Sequence, residues 1–584
     1  VGGVAVRWFE RQCSTRLKLG EVPLTDQAAG PRVPAGPVRL LGGSVGDFDV
    51  DVIVIGSGFG GSVAALRLTE KGYRVLVLEK GKRWPPEQFA ATNWNIPKSF
   101  WFPWLGCYGI WALHLLRDVL VLRGVGVGGG SLVYANTLLV PPEAVWDDPL
   151  WKGLEDWRRI MPAHYATAQR MLGATTNPRL GPADEALRCS AERRGTQGTF
   201  RPTQVGVFFG EAGVEVPDPY FGGSGPPRRG CTFCGACMTG CRDGAKNTLD
   251  KNYLYLAERG GAKVQPQVQA ELLEPLPGGG WRVQWRRSTD RLFPERGAFA
   301  ARLVVLAGGV LGTVPLLLDS QRAGKLSGLS PRLGEFTRTN SEALLGITSR
   351  SRTDLWKGVA ITSEVQMDEH THMEPVRFTK GADVVLLLGT LLTDGGGRVP
   401  RPLRWLANVA THPVDFLVAT KPWGKAERSV VLLVMQTQDN HTRLVQRRRV
   451  FWPFRPTLTS QPVAGQARVP SYIPLANQVA RELGEALDGI PQSTLNEVLL
   501  DVPTTAHILG GCPMGGSWEQ GVVDSRGRVF GQEGLFVADG SIVGANLGVN
   551  PSLTITALAE HVCSHIPTRA DREHADERGV WRRG

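Results

Sequence analysis

The chain has 584 residues, 66 Lys plus Arg against 55 Asp plus Glu, and 42% hydrophobic residues, a balance that excludes fibres and disordered tails and leaves ample material for a core. The net charge of +11 is spread thinly with no run of five like charges, so the footprint of a nucleic-acid binder is missing. Nine cysteines in so long a chain, four of them between positions 231 and 241, argue against a disulfide framework and for a reducing, cytoplasmic compartment.

Residues 1–48 carry Arg7, Glu10, Arg11, Arg16 and Lys18 without a sustained apolar run, and read as an extension rather than a secretory signal. From position 51 the chain runs Asp-Val-Ile-Val-Ile, then Gly56-Ser-Gly58-Phe-Gly-Gly61, an apolar-periodic stretch over 62–71, and Tyr73-Arg-Val-Leu-Val-Leu-Glu79. The pattern predicts strand, turn, helix, strand. Gly56 suits the tight turn, Gly58 the approach of a pyrophosphate, and Gly61 the packing of helix on strand, while Glu79 ends the second strand where a carboxylate accepts from ribose hydroxyls. Nicotinamide and flavin dinucleotides share this adenosine half.

The apolar stretch 100–116 holds Pro103, two glycines and His114 and is too short to span a membrane, which predicts a buried helix or lid with at most peripheral membrane contact. Gly124-Val-Gly-Val-Gly128-Gly129-Gly130-Ser131 has five glycines in seven residues, suited to backbone passing close to a planar ring or a phosphate. Cys231, Cys234, Cys237 and Cys241 copy the cluster spacing of bacterial ferredoxins, with Arg242 where those carry proline. Such thiolates suit an iron–sulfur cluster or zinc, and reduced structural thiols are the alternative. Two alternating runs around Pro277-Gly-Gly-Gly280 predict a hairpin, and 301–306 a buried parallel strand ending in Gly308-Gly309. His370 and His372 read as polar loop residues without a metal constellation. Towards the C-terminus, 534–541 predicts a short strand delivering Asp539 and Gly540 at its tip, and Gly548-Val-Asn550-Pro551 precedes a helix-like run over 553–561.

Taken together, these pieces resemble the glucose-methanol-choline flavoprotein oxidoreductases, in their cholesterol oxidase branch. The matches are the nucleotide unit, 126–132, Ala307-Gly308-Gly309, His507-Ile-Leu-Gly510-Gly511, Val537-Ala-Asp539-Gly540-Ser541 and Gly548-Val-Asn550-Pro551, in order over 52–561. The resemblance implies an α/β fold: a Rossmann-like FAD-binding domain assembled from separated segments, with an inserted α+β substrate-binding domain. The implied division is an extension at 1–48, FAD segments at 49–84, 227–335 (with the cysteines) and 504–565, substrate segments at 85–226 (with the loop 124–136) and 336–503, and a charged tail at 566–584.

It further implies FAD held by Gly56, Gly58, Gly61, Glu79, Gly128, Gly129, Gly130, Ser131, Asp539, Gly540, Asn550 and Pro551. His507 and Asn550 act on an alcohol, and Glu374 sits where a carboxylate moves a proton during steroid double-bond migration. The expected substrate is a hydrophobic alcohol, foremost a 3β-hydroxysteroid, with oxygen or another electron acceptor. The sequence departs at Tyr134-Ala-Asn136, which puts a phenol where better-known members carry a small amide. Two alternatives stand beside this reading: a flavin dehydrogenase for another lipid-like alcohol, and a non-catalytic FAD-binding protein.

Overall fold

Val50–Ile55 is buried along its whole length, the signature of a strand covered on both faces. In the computed structural model, which describes residues 48–449 and 452–577, it is the centre of a seven-stranded sheet. The extension up to residue 47, and with it the reading of a missing signal segment, lies outside the described residues, as does the tail from 578 onward. Val50–Ile55 pairs in parallel with Val75–Glu79 on one side and Arg296–Leu306 on the other. Lys263–Pro266 and Leu535–Val537 extend these two neighbours, also in parallel. The predicted hairpin, Val268–Pro275 with Trp281–Arg287, adds an antiparallel flank.

The helix Phe59–Glu70 crosses between the first two strands, three residues earlier than periodicity places it, because Gly60 and Gly61 are already helical and buried. Asp51 is the polar exception in the central strand. Its carboxylate accepts from the Arg74 backbone at 2.8 Å and pairs with the guanidinium at 3.0 Å, and despite burial this partner holds it below the usual carboxylate range. The C-terminal ends of the parallel strands, at Ile55, Glu79, Leu306 and Val537, form the edge at which such sheets bind ligands.

A second seven-stranded sheet joins segments far apart in sequence, with every pairing antiparallel: Arg201–Pro202, Ser363–Gln366, Thr371–Val376, Ser429–Gln436, Ala343–Ser349, Gly489–Thr494 and Gly389–Leu391 in spatial order. Alternation sorts its faces. Leu345, Ile347, Val430, Leu432 and Met373 point into a core shared with the helices Pro182–Glu192 and Pro474–Ala486. Leu344, Val431, Leu433 and Val376 point the other way, towards the cleft described below.

The stretch 100–116 corrects the expected helix. It forms the strands Trp101–Phe102, Cys107–Tyr108 and Trp111–Leu115, because Pro103, Gly106 and Gly109 interrupt a helix and the aromatic residues suit a pleated surface. Trp104 and Leu105 stand exposed at its turn, while Trp111 joins the wall of the cleft. Among the described residues no helix is long and apolar enough to cross a membrane.

Candidate active site

A cavity of about 1030 Å³ opens at the C-terminal ends of the parallel strands and continues beneath the second sheet. Its first half is lined by backbone. Gly56 sits at φ +103°, and a side chain there would meet the Ala307 carbonyl at 2.3 Å. At Gly61 an added Cβ would lie 2.0 Å from the Gly56 carbonyl, so this glycine serves packing, whereas at Gly58 the nearest atom would be 4.0 Å away. Gly58 thus leaves room for a ligand rather than for the fold. The helix Phe59–Glu70 starts there with no side-chain cap and no acid in its first turn, leaving its amide groups and positive dipole end for an anion.

Glu79 lines the same half. Its oxygens accept from the Ser57 hydroxyl at 2.7 Å and the Gly81 amide at 2.7 Å, with lone pairs left over. Gly129 and Gly130 also line it, while Gly128 and Ser131 stand behind: the Ser131 hydroxyl donates to the Gly128 carbonyl at 2.7 Å and accepts from the Leu249 amide at 3.1 Å. Asp539 reaches the cavity with both oxygens engaged, accepting from the Gly309 amide at 2.8 Å and Thr313 at 2.6 Å on one side and from Ser541 on the other. It ties strand tip to helix start. Tyr134 presents its ring to the cavity and turns its hydroxyl away, donating to the Asn247 carbonyl at 3.2 Å.

The other half is apolar, walled by Ile361, Val376, Phe378, Leu386 and Leu433. His507 and Asn550 stand where the halves meet. His507 Nδ1 contacts the fully buried Glu342 carboxylate, whose second oxygen accepts from the Ala506 amide at 2.7 Å. Burial alone would lower the His507 pKa, but Glu342 outweighs it and the net shift is upward. The imidazole therefore holds a proton more firmly, and the opposite ring edge is left for a substrate. Glu342 was missed by sequence reasoning; an acid opening the apolar run Ala-Leu-Leu-Gly-Ile carries no pattern that singles it out.

Asn550 precedes the helix Ser552–Ser564, whose first turn has neither side-chain cap nor acid and which enters the cavity through Ser552 and Ile555. Its Nδ2 donates to Glu374 at 3.3 Å, and its buried Oδ1 has no protein partner. Asn340 clamps the loop before it, donating to the Val549 carbonyl at 2.9 Å and accepting from the Gly548 amide at 2.8 Å.

Glu374 is wholly buried on the strand Thr371–Val376, behind Asn550 rather than on the cavity wall. The same strand corrects the reading of His372 as a loop residue. It is buried, its Nε2 lies 3.1 Å from Glu374 and 3.6 Å from Glu364, and Arg201 pairs with Glu364. Alternation along the strand puts His372 and Glu374 on one face. Potential ligand atoms of Glu364, His372 and Glu374 lie within 4.8 Å of one another, a group the sequence left unsuspected. His372 and Arg201 face its two acids, and burial pushes the Glu364 pKa up.

Comparison with known proteins agrees with this geometry. A family model described as GMC oxidoreductase matches residues 454–559, and one for an FAD binding domain matches 51–90. A cholesterol oxidase of Acinetobacter baumannii is 44% identical over 536 residues, covering 90% of this chain and 96% of that one. A cholesterol oxidase of Mycobacterium tuberculosis is 46% identical over 546 residues, covering 91% and 93%. The chain belongs to the GMC oxidoreductase family, in its cholesterol oxidase branch.

This GMC chain is an FAD-dependent alcohol oxidoreductase. A long-chain-alcohol oxidase of Arabidopsis thaliana is more distant, at 25% identity over 88% of this chain and 67% of that one. The solved pyridoxine 4-oxidase of Mesorbium loti shares the fold at a TM-score of 0.57 and 16% identity, covering 88% of this chain and 99% of its own. The residues present fit FAD. The open space at Gly58, two uncapped helix starts and the orphaned Asn550 Oδ1 are complementary to a pyrophosphate and to a ring bearing polar edges.

Proposed function

We propose that the chain oxidises the 3-hydroxyl of a 3β-hydroxysteroid such as cholesterol, with oxygen as the electron acceptor and migration of the steroid double bond as a second step. The observation that carries this is the His507–Glu342 pair at the junction of a glycine-lined half and an apolar half of one cavity. The names of the relatives at 44% and 46% identity support the sterol and the acceptor. The cavity is large enough for a rigid polycyclic alcohol beside a dinucleotide, and the apolar wall excludes water from the reacting carbon.

FAD, when held by the Gly58 turn, Glu79, the Gly129–Gly130 backbone and the Asn550–Pro551 loop, supplies a hydride acceptor. The remaining work falls to side chains. His507 takes the hydroxyl proton on its free ring edge, and the Glu342 charge stabilises the resulting imidazolium. Asn550 restrains Glu374 through its Nδ2, and its Oδ1 is left to accept from an N–H edge of the bound FAD. Glu374 then carries a proton between ring carbons, with His372 and Glu364 beside it to share that proton.

Anaerobic mixing with a panel of sterols and long-chain alcohols tests the proposal. Flavin absorbance at its long-wavelength band should bleach with 3β-hydroxysterols, and bleaching should be lost in His507→Asn. Bleaching by long-chain alcohols alone would replace the steroid reading with the lipid-alcohol dehydrogenase, and no bleaching by any alcohol would leave FAD as a structural ligand.

A further inference from the structure

Cys231, Cys234, Cys237 and Cys241 take no part in the chemistry above, yet all four line one small void, wrapped by the loop 231–241. None is in a disulfide. Among the described residues the only set of three or more metal-ligating atoms mutually within 4.8 Å is the Glu364 group, so no three of these sulfurs stand that close. Tetrahedral zinc, with Zn–S near 2.3 Å, would need sulfur separations of about 3.8 Å. The thiols are not spaced to close on a single zinc ion.

Two independent features point to the charge of an occupant. Lys246 lines the void and Arg228 sits behind it against Gly244 and Ala245, and both are almost wholly buried, at 1% and 2% exposure. Lys246 Nζ donates to the carbonyls of Leu132, Tyr134 and Cys237 at 3.1, 2.8 and 2.7 Å, and Arg228 donates to those of Gly244 and Ala245 at 3.1 and 2.9 Å. Neither lies within ion-pair distance of a carboxylate among the described residues; Asp250, already paired with Lys251, acts on both only from farther off, a costly arrangement for two buried cations. Backbone N–H groups also aim at sulfur: Phe233 at Cys231 Sγ, 3.4 Å, and Lys246 at Cys241 Sγ, 3.5 Å.

We propose that Cys231, Cys234, Cys237 and Cys241 ligate a [4Fe–4S] cluster, one cysteine per iron. Assembly of the oxidised core consumes ferrous and ferric iron in equal amounts and four sulfides, the ferric half supplying the oxidising equivalents; each thiol releases its proton to solvent as its sulfur bonds iron. Four thiolates on the oxidised cubane leave a net double negative charge, which Lys246 and Arg228 balance one for one. The amides facing sulfur add the hydrogen bonds that tune such clusters. Lys246 Nζ lies 4.5 Å from the centre of the Tyr134 ring, which lines the large cavity, so the cluster would sit one side chain from the FAD cleft.

The test is elemental analysis of the full chain purified without oxygen, with and without reconstitution by ferrous and ferric iron and sulfide, joined to low-temperature electron paramagnetic resonance after dithionite. About four irons and four sulfides per chain and a reduced-cluster resonance are expected. A Cys237→Ala, Cys241→Ala variant should lose both while keeping its flavin absorbance, and Cys107→Ser, a buried cysteine elsewhere, should lose neither. Zinc instead of iron, or neither metal after reconstitution, overturns the assignment whether or not the double variant folds. Metal content is read separately from alcohol turnover, so either proposal can fail alone.

Discussion

Glu342 holds Nδ1 of His507 from a position 165 residues earlier in the chain, across the join between the second sheet and the loop that follows the strand Thr504–Thr505. The pair has the logic of a base and its orienting carboxylate. The acid fixes the ring and favours its charged form.

That pairing predicts a pH dependence. Because the His507 pKa lies above its ordinary value near 6.5, the unprotonated base fails as pH falls through that raised value. Glu342→Gln should move the acid limb of kcat/KM to lower pH and reduce the plateau about 10–100-fold, and His507→Asn should reduce it about 100–10,000-fold. A pH–rate series on both variants, with flavin content held equal, checks this; an unmoved limb in Glu342→Gln would assign the limb to another group.

Glu374→Gln separates the two chemical steps. Oxidation should persist within about tenfold if, as proposed, His507 handles the hydroxyl proton, while the proposed double-bond migration stops. Chromatography of the steroid product distinguishes the unconjugated from the conjugated ketone. Equal loss of both steps would make Glu374 the base for oxidation.

The glycines of the first turn divide by function. Gly61→Ala places Cβ 2.0 Å from backbone and should lower the melting temperature, because neither partner can give. Gly58→Ala meets nothing nearer than 4.0 Å and should leave the apoprotein stable while weakening FAD retention. Thermal melts and flavin occupancy, measured on both, show whether the two losses separate.

Glu560 is a buried tie between distant segments. It receives two hydrogen bonds from Arg67, at 2.7 and 2.9 Å, and one from Tyr253 at 2.7 Å. Glu560→Leu leaves Arg67 with the exposed Glu70 as its remaining partner and the Tyr253 hydroxyl without an acceptor, and should cost about 1–3 kcal/mol in chemical denaturation. The double variant with Arg67→Met should recover part of that, since no half-buried guanidinium remains and Glu70 is solvated.

Local signals in the sequence were enough to mark the strand Val50–Ile55, the glycine turn, the hairpin around Pro277 and the helix after Pro551, because each depends on periodicity or on residues with special backbone freedom. They also placed His507 and Asn550 as candidates through short motifs. Glu342, the burial of His372 with Glu364 and Glu374, and the strands at 100–116 were decided only in three dimensions. A carboxylate or imidazole looks the same in a sequence whether it meets water or a partner 165 positions away, and its proton affinity and role arise from that partner. Only the antiparallel pairing of Thr371–Val376 with its neighbours, and the placing of Glu342 against His507, turned five ordinary polar residues into two buried groups.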